Sequence, residues 1–121
     1  MRTISWNCQG IRPALTVKAL KELRRKYDPD VVFLMETRNG QEVMERIRKR
    51  MRYDGRYYMD PKELSGGLTL WWNKEVEVIV LEATKNGIDS LVTMKNKGNV
   101  CRICWIYGGT ILKRGNNYGI I

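Results

Sequence analysis

At 121 residues the chain has room for one domain at most. Its hydrophobic residues amount to 43%, enough to build a core, so composition excludes a disordered polymer. Lys and Arg number 22 against 13 Asp and Glu, a net charge of +9 that favours polyanionic partners without specifying a fold. No apolar run approaches the length of a membrane span, and no charged-then-apolar leader precedes the first strand-like segment. Residues 1–7 read as that strand, followed by a turn at Gly10 and Pro13. Thr16 then stands as N-cap of a helix on which Val17, Leu20, Leu23 and Tyr27 recur at helical spacing. Asp28-Pro29-Asp30 ends the helix and leads into a continuous apolar strand over 31–37.

Asn39 is placed to cap a second helix, with Val43, Met44, Ile47 and Met51 inside and a row of cations outside. Short strands are expected at 56–59, 68–72, 76–83, 90–94 and 100–107. Turn chemistry separates them at Asp60-Pro61, Asn86-Gly87 and Lys97-Gly98-Asn99, the last two marking antiparallel hairpins. The sequence shows no internal repeat, linker or low-complexity tract.

The charge is uneven. Residues 1–60 carry 14 basic and 8 acidic side chains, whereas residues 61–121 carry 8 and 5. The densest stretch holds Arg46, Arg48, Lys49, Arg50 and Arg52. It reads either as a contact for nucleic-acid phosphates or as the solvated outer face of a helix. Cys101 and Cys104 form a C-x-x-C, but on a strand two residues three apart point to opposite faces. They share neither a metal nor a bridge, and with no histidine in the chain no zinc site can be completed. Together with Cys8 these are expected to be buried thiols of a protein kept in a reducing, intracellular compartment, nuclear or cytoplasmic.

Two polar ends of apolar runs carry the chemistry. One is Ile4-Ser5-Trp6-Asn7-Cys8-Gln9-Gly10, the other Val31-Val32-Phe33-Leu34-Met35-Glu36-Thr37. In an open α/β sheet, reacting groups gather at the carboxyl ends of strands. An amide and a carboxylate there suit a hydrated divalent cation and a phosphate. Read alone, the spacing favours the plainer reading, with Asn7 capping a turn and Glu36 a solvated strand-end residue.

These two runs resemble the start of an endonuclease/exonuclease/phosphatase domain. Within that superfamily the chain most resembles the apurinic-endonuclease-like domain at the front of plant LINE-type (non-LTR) retrotransposon polyproteins. Ser65-Gly66-Gly67-Leu68-Thr69-Leu70-Trp71-Trp72 is similar to that family's Gly-Gly-Leu strand, and Ile106-Tyr107-Gly108 to its later Tyr-Gly. The resemblance implies an α/β fold, the N-terminal half of a four-layer α/β/β/α sandwich. This chain is then expected to hold one mixed sheet with helices on one face, its last residues forming the lead-in to a further helix. The other sheet face is left uncovered, so self-association through it is expected.

The same resemblance assigns Asn7 and Tyr107 to the scissile phosphate and Glu36 to Mg²⁺. Gln9 falls where many relatives carry an aspartate near the metal, and is expected to touch the metal's water shell. The proton-transfer residues that the family draws from an Asp-x-Asn segment and a closing Asp-His pair are not in this sequence. The chain has no histidine, and none of Asp28, Asp30, Asp54, Asp60 and Asp89 is followed two residues later by asparagine. The expected function is therefore part of a Mg²⁺-dependent DNA endonuclease, inactive by itself and binding DNA weakly and non-specifically. The alternative is a basic nucleic-acid-binding remnant with no catalytic role. No membrane partner is expected.

Overall fold

Five consecutive apolar residues, Val31–Met35, form a strand in which every side chain is buried, and the other elements are arranged around it. The structure, a computed structural model, describes the backbone of residues 1–10, 13–62, 65–114 and 117–120 and the side chains of 1–10, 17–62 and 65–108. In chain order the first six elements are β1 (Thr3–Asn7), α1 (Pro13–Tyr27), β2 (Val31–Met35), α2 (Gln41–Met51), β3 (Gly55–Met59) and β4 (Leu68–Trp72). Their four strands form one sheet in the order β1-β2-β4-β3. β1 runs parallel to β2, pairing Ile4 with Val32 and Asn7 with Met35, and β4 lies antiparallel to both β2 and β3.

A second sheet follows. β5 (Val76–Thr84), β6 (Gly87–Met94), β7 (Val100–Ile106), β8 (Gly109–Arg114) and β9 (Asn117–Ile120) form an antiparallel meander in sequence order. The chain leaves the first sheet at Asn73. Its amide donates to the Asp30 carboxylate at 2.9 Å, its backbone N–H donates to the Asp30 carbonyl, and its side-chain oxygen accepts from the Glu75 N–H. That knot turns β5 out of the plane of β4.

The period of two along each strand sorts side chains into two cores. On one face of the first sheet, Val32, Leu34 and Trp71 meet Val17 and Leu20 of α1 and Met44, Ile47 and Met51 of α2. On the other face, Val31, Phe33, Met35, Leu68 and Leu70 meet Val76, Ile88, Val92, Ile103 and Trp105 of the second sheet. The buried Trp105 indole donates to Ser90 Oγ at 2.9 Å, and Ser90 donates in turn to the Ile103 carbonyl. The inter-sheet core thus carries a tryptophan without an orphaned N–H.

The α/β class is as expected, and so is the placement of helices on one face of a mixed sheet. The expectation of a single sheet with an open inner face is corrected: strands from β5 onward cover that face. A turn at Asn73 offers no composition signal that separates a sheet-changing strand from the next strand of the same sheet. The face left open is the outer side of the second sheet, where Ile79 and Val100 are exposed and Asp89 pairs with Arg102. Cys104 donates to Asp89 on that face, while Cys101 packs against the inter-sheet core, so the two thiols do lie on opposite sides.

Three local expectations also change. α1 begins at Pro13, so Thr16 lies in the first turn rather than at a cap, a position where proline costs little because its missing N–H has no partner there anyway. The N-cap of α2 is Gly40, and Asn39 instead donates its amide to the Thr37 carbonyl at 2.9 Å. The lead-in to a helix expected over 113–121 is a strand where it falls on the described residues. The loop between β5 and β6 is as the Asn86-Gly87 pair foretold, although Gly87 is required for space: a Cβ there would lie 2.7 Å from the Trp105 carbonyl oxygen.

Gly55 is the tightest such approach. A Cβ at this position would fall 1.9 Å from the Trp72 indole across the β3–β4 pair. Gly55→Ala is expected to destabilise the fold by about 1–3 kcal/mol, because the indole must leave its rotamer or the strands must part. Urea denaturation of the two proteins checks this. An unchanged midpoint would show that β3 does not close on β4 at this register.

Candidate functional site

The carboxyl ends of β1 and β2 lie side by side, and the backbone continues their pairing past both strands. Cys8 N–H donates to the Met35 carbonyl and Gly10 N–H to the Glu36 carbonyl, each at 2.8 Å. On the other side of the Glu36-Thr37-Arg38 turn, Thr37 and Arg38 N–H groups donate to the Gly67 and Gly66 carbonyls. The turn is thereby pinned between two loops. Two residues of the turn, Glu36 at φ 51° and Arg38 at φ 55°, adopt the left-handed backbone region, as does Gln9 at φ 48° in the facing loop after β1. Each such residue costs about 1–3 kcal/mol and persists only where its surroundings overdetermine it, a pattern that collects at functional sites.

Gly67 shows how tight the support is. A Cβ there would lie 2.4 Å from the buried Thr37 hydroxyl, so Ser65-Gly66-Gly67 serves to back the turn.

Tyr107 comes to this place from the other sheet. Phe33 of β2 packs on Trp105 of β7 with ring centroids 6.0 Å apart. Beyond β7, Tyr107 N–H donates to the Asn86 carbonyl at 2.8 Å and Gly108 N–H to the Met35 sulfur at 3.4 Å. The end of β7 is thus tied to the end of β2, and the Tyr107 hydroxyl donates a short hydrogen bond to the Glu36 carboxylate. Asn7 completes the group. Its side-chain oxygen accepts from the Gln9 N–H at 3.0 Å, which leaves its NH₂ to donate to the Tyr107 hydroxyl.

The structure therefore gathers Asn7, Glu36 and Tyr107 from the ends of three strands in two sheets. Gln9 sits in the adjoining turn, exposed, and orients Asn7 through its backbone. The basic stretch lies elsewhere. α2 runs back along the sheet, and Arg48 donates to the Tyr53 and Asp54 carbonyls near the start of β2. That is the far end of a five-residue strand from Glu36, about 16 Å away at the usual rise. Arg46, Lys49, Arg50 and Arg52 are exposed there, whereas Arg48 is half-buried and also paired with Glu45 at 2.6 Å.

Sequence reasoning missed Arg38, whose guanidinium lies 3.7 Å from the Glu36 carboxylate. Its signal was available: a cation two residues beyond a strand-end carboxylate, in a loop too short to carry it away.

The donors present define what can be held. Among the described residues, no three His, Cys, Asp or Glu side chains come together. Glu36 supplies one carboxylate oxygen pair, 24% exposed, beside the Asn7 amide and the Tyr107 hydroxyl. That all-oxygen, one-carboxylate set fits a hard divalent ion that keeps most of its water and shares a phosphate, and does not fit the four closed nitrogen and sulfur ligands of a structural zinc. Burial pushes the thiol of Cys8, close behind Asn7 in sequence, up to about 12, which disfavours the thiolate form at neutral pH.

An α/β/β sandwich with strand-end polar groups meeting at the rim between its sheets is the class of protein that this geometry defines. Residues 4–108 match the Endonuclease/Exonuclease/phosphatase family, and the chain belongs to it. No curated protein matches the sequence. Among solved structures, the chain is similar to the crystal structure of an AP endonuclease from Leishmania major, with a TM-score of 0.61 and 16% identity. The likeness covers 88% of this chain but only 39% of that one, so the chain spans well under half the length of that structure.

The Tyr107 phenol titrates above its ordinary range, chiefly because its hydrogen bond to the Glu36 carboxylate favours the neutral hydroxyl; desolvation and the carboxylate's charge add to this, while the Asn7 hydrogen bond and Arg38 oppose it. In Glu36→Gln the main cause disappears, so the phenol is expected to titrate lower than in the wild type. Because the folded value is raised, whatever stability this contact contributes is present below the unfolded tyrosine range and lost as pH rises through the folded value. NMR titration of the Tyr107 ring signals checks the order. Equal titration in the two proteins would break the contact.

Proposed function

We propose that the chain is part of a Mg²⁺-dependent DNA endonuclease of the LINE retrotransposon type, contributing the phosphate- and metal-holding side of a phosphodiester hydrolysis site. The observation that carries this reading is the convergence of Asn7, Glu36 and Tyr107 at one point between the sheets. Family membership over residues 4–108 and a structural neighbour described as an AP endonuclease support nuclease chemistry and DNA as substrate. The Ser65-Gly66-Gly67-Leu68 run supports the retrotransposon branch.

Hydrolysis adds hydroxide to phosphorus and a proton to the leaving oxygen. Glu36 is the residue to hold the cation, with Gln9 near its water shell. When bound, the cation would neutralise charge developing on the phosphate oxygens. Asn7 donates through its NH₂ and Tyr107 through its hydroxyl, so once Glu36 turns to a cation both are free to hold phosphate oxygens. What the 121 residues do not supply is a group to activate the water and one to protonate the leaving oxygen. The sequence has no histidine and no Asp-x-Asn. By itself this polypeptide binds DNA and leaves it intact, which is also the outcome under the alternative of a non-catalytic nucleic-acid-binding remnant. Cys8, Cys101 and Cys104 form no disulfide, which fits a reducing, intracellular setting, and the open outer face of the second sheet supports self-association.

Supercoiled DNA incubated with the purified chain and Mg²⁺ is expected to remain un-nicked, since each missing proton-transfer group alone costs about 10²–10⁴-fold. Nicking that requires Mg²⁺ and vanishes in Glu36→Ala would show that the site is complete as it stands. Mg²⁺ titrated against the Glu36 and Asn7 NMR signals separates the two readings: shifts at both support the metal-holding half-site, and none supports the remnant.

DNA binding is expected to be sequence-independent and steeply salt-dependent, resting on the cations at the end of α2. Replacing Arg46, Arg50 and Arg52 with glutamine removes up to three phosphate contacts and flattens the slope of log affinity against log salt by roughly three. Fluorescence anisotropy over a salt series measures it. An unchanged slope would place the contact surface elsewhere.

A further inference from the structure

Among the described residues Arg38 is the strong cation at the gathered site, and three observations fix its position. Its backbone is held in the left-handed region at φ 55° by the N–H bond to the Gly66 carbonyl at 2.9 Å. Its aliphatic stem lies across the Gly10 turn, where a Cβ on Gly10 would meet Arg38 Cδ at 3.3 Å. Its guanidinium stands 3.7 Å from Glu36 with the side chain 47% exposed, at the mouth of the site rather than beneath it.

At that distance the pair is coulombic, not a hydrogen bond, so Glu36 does not consume the guanidinium's N–H fork. An exposed pair of this kind contributes little to stability, typically below about 1 kcal/mol. The ion pair alone therefore gives little reason for an arginine at this position. A planar cation with several donors in a fixed fork is the side chain best matched to phosphate oxygens.

We propose that Arg38 is a phosphate-binding residue of this site, gripping a phosphodiester of the nucleic acid beside Asn7 and Tyr107 and doing so without any metal. The inference rests on the reading of Asn7, Glu36 and Tyr107 as a phosphate site and adds to it a residue and a metal-independent mode of binding. The guanidinium brings positive charge to the site whether or not Glu36 holds a cation, so anion affinity does not depend on a metal. Its charge beside Glu36 also couples the two ligands: a phosphate that draws Arg38 away removes a positive charge that repels a divalent ion from the carboxylate.

The test uses the full chain and the dinucleoside monophosphate TpT, which carries one phosphodiester and no monoester. In EDTA, NMR titration is expected to move the Gly10 and Arg38 amides, the Asn7 side-chain amide and the Arg38 Nε–H signal of the wild type. That last signal reads the contact without any substitution, so the result does not depend on how a variant folds. Arg38→Gln is expected to bind TpT about tenfold more weakly, the loss of one charge-assisted bond, and Arg38→Lys to recover part of it.

If Arg38→Gln binds as the wild type does while Asn7→Ala binds more weakly, or if TpT binds only with Mg²⁺ and leaves the Arg38 Nε–H unmoved, Arg38 has no such role and the site reading stands. If TpT moves nothing at the site with or without Mg²⁺, or moves only signals of Arg46–Arg52, the site reading fails and this inference with it.

Discussion

The whole arrangement depends on burying β2 on both faces at once. Val32 and Leu34 look to the helices, while Val31, Phe33 and Met35 look to the second sheet. Burial of one such side chain stabilises by about 1.5–3 kcal/mol, and here five in succession act on two different cores. A strand with that pattern cannot sit at a sheet edge or face solvent on either side. It forces β1 and β4 to flank it, α1 and α2 to cover one face, and β5 to β7 to cover the other. Its carboxyl end is then the one place where residues of the first sheet and loops of the second must meet.

Among the described residues, three of the five non-glycine positions with positive φ stand at that meeting point. Gln9, Glu36 and Arg38 all stand in the left-handed region, and none is glycine. The loops answer each other by backbone bonds, Gly10 to Glu36 and Arg38 to Gly66, so the strain is held from both sides. Side chains on such a frame lose little further freedom on binding, which is the reason for building a site on strand ends and not on a long loop. The cost falls on local stability, and the two cores beneath the turn, with Met35 under Gly108 and Thr37 under Gly67, carry it.

Most of the first sheet was legible in the sequence because its signals are strong and local. The unbroken apolar run at 31–35, the helical spacing on α1 and the inner row of α2 leave few other readings. The partition into two sheets was not legible. Val76–Thr84 has the composition of a strand in either sheet, and the change of sheet goes with a hydrogen bond from the Asn73 side chain to Asp30, a residue far away in sequence. Helix starts were misplaced for a related reason. Thr16 and Asn39 are good caps by type, but Pro13 already opens α1 upstream of Thr16, and Asn39 is engaged by the turn that follows Glu36. At the site, Asn7, Glu36 and Tyr107 were found by resemblance, and their meeting was not derivable from spacing, since Tyr107 lies 71 residues beyond Glu36. Arg38 was passed over although its place two residues beyond the strand-end carboxylate Glu36 was legible in the sequence.

The site's two halves come from different sheets, and this has an energetic consequence. Asn7 and Glu36 belong to the first sheet and Tyr107 to the second, so the Tyr107–Glu36 bond exists only while the inter-sheet core is closed. Any ligand that needs both a first-sheet group and Tyr107 binds the docked state alone. By linkage it must stabilise that docking by RT ln(1 + [L]/Kd), or about 2.7 kcal/mol at a hundredfold excess over Kd. The Phe33–Trp105 contact, deep between the sheets, is therefore coupled to a polar group at the rim through a single short path: β2, Met35, Gly108 and Tyr107. A ligand held by Asn7, Glu36 and Arg38 alone would show no such coupling, since all three stand on the first sheet or its loops. Whether a bound phosphate raises the stability of the second sheet thus distinguishes a site that uses Tyr107 from one that merely lies beside it.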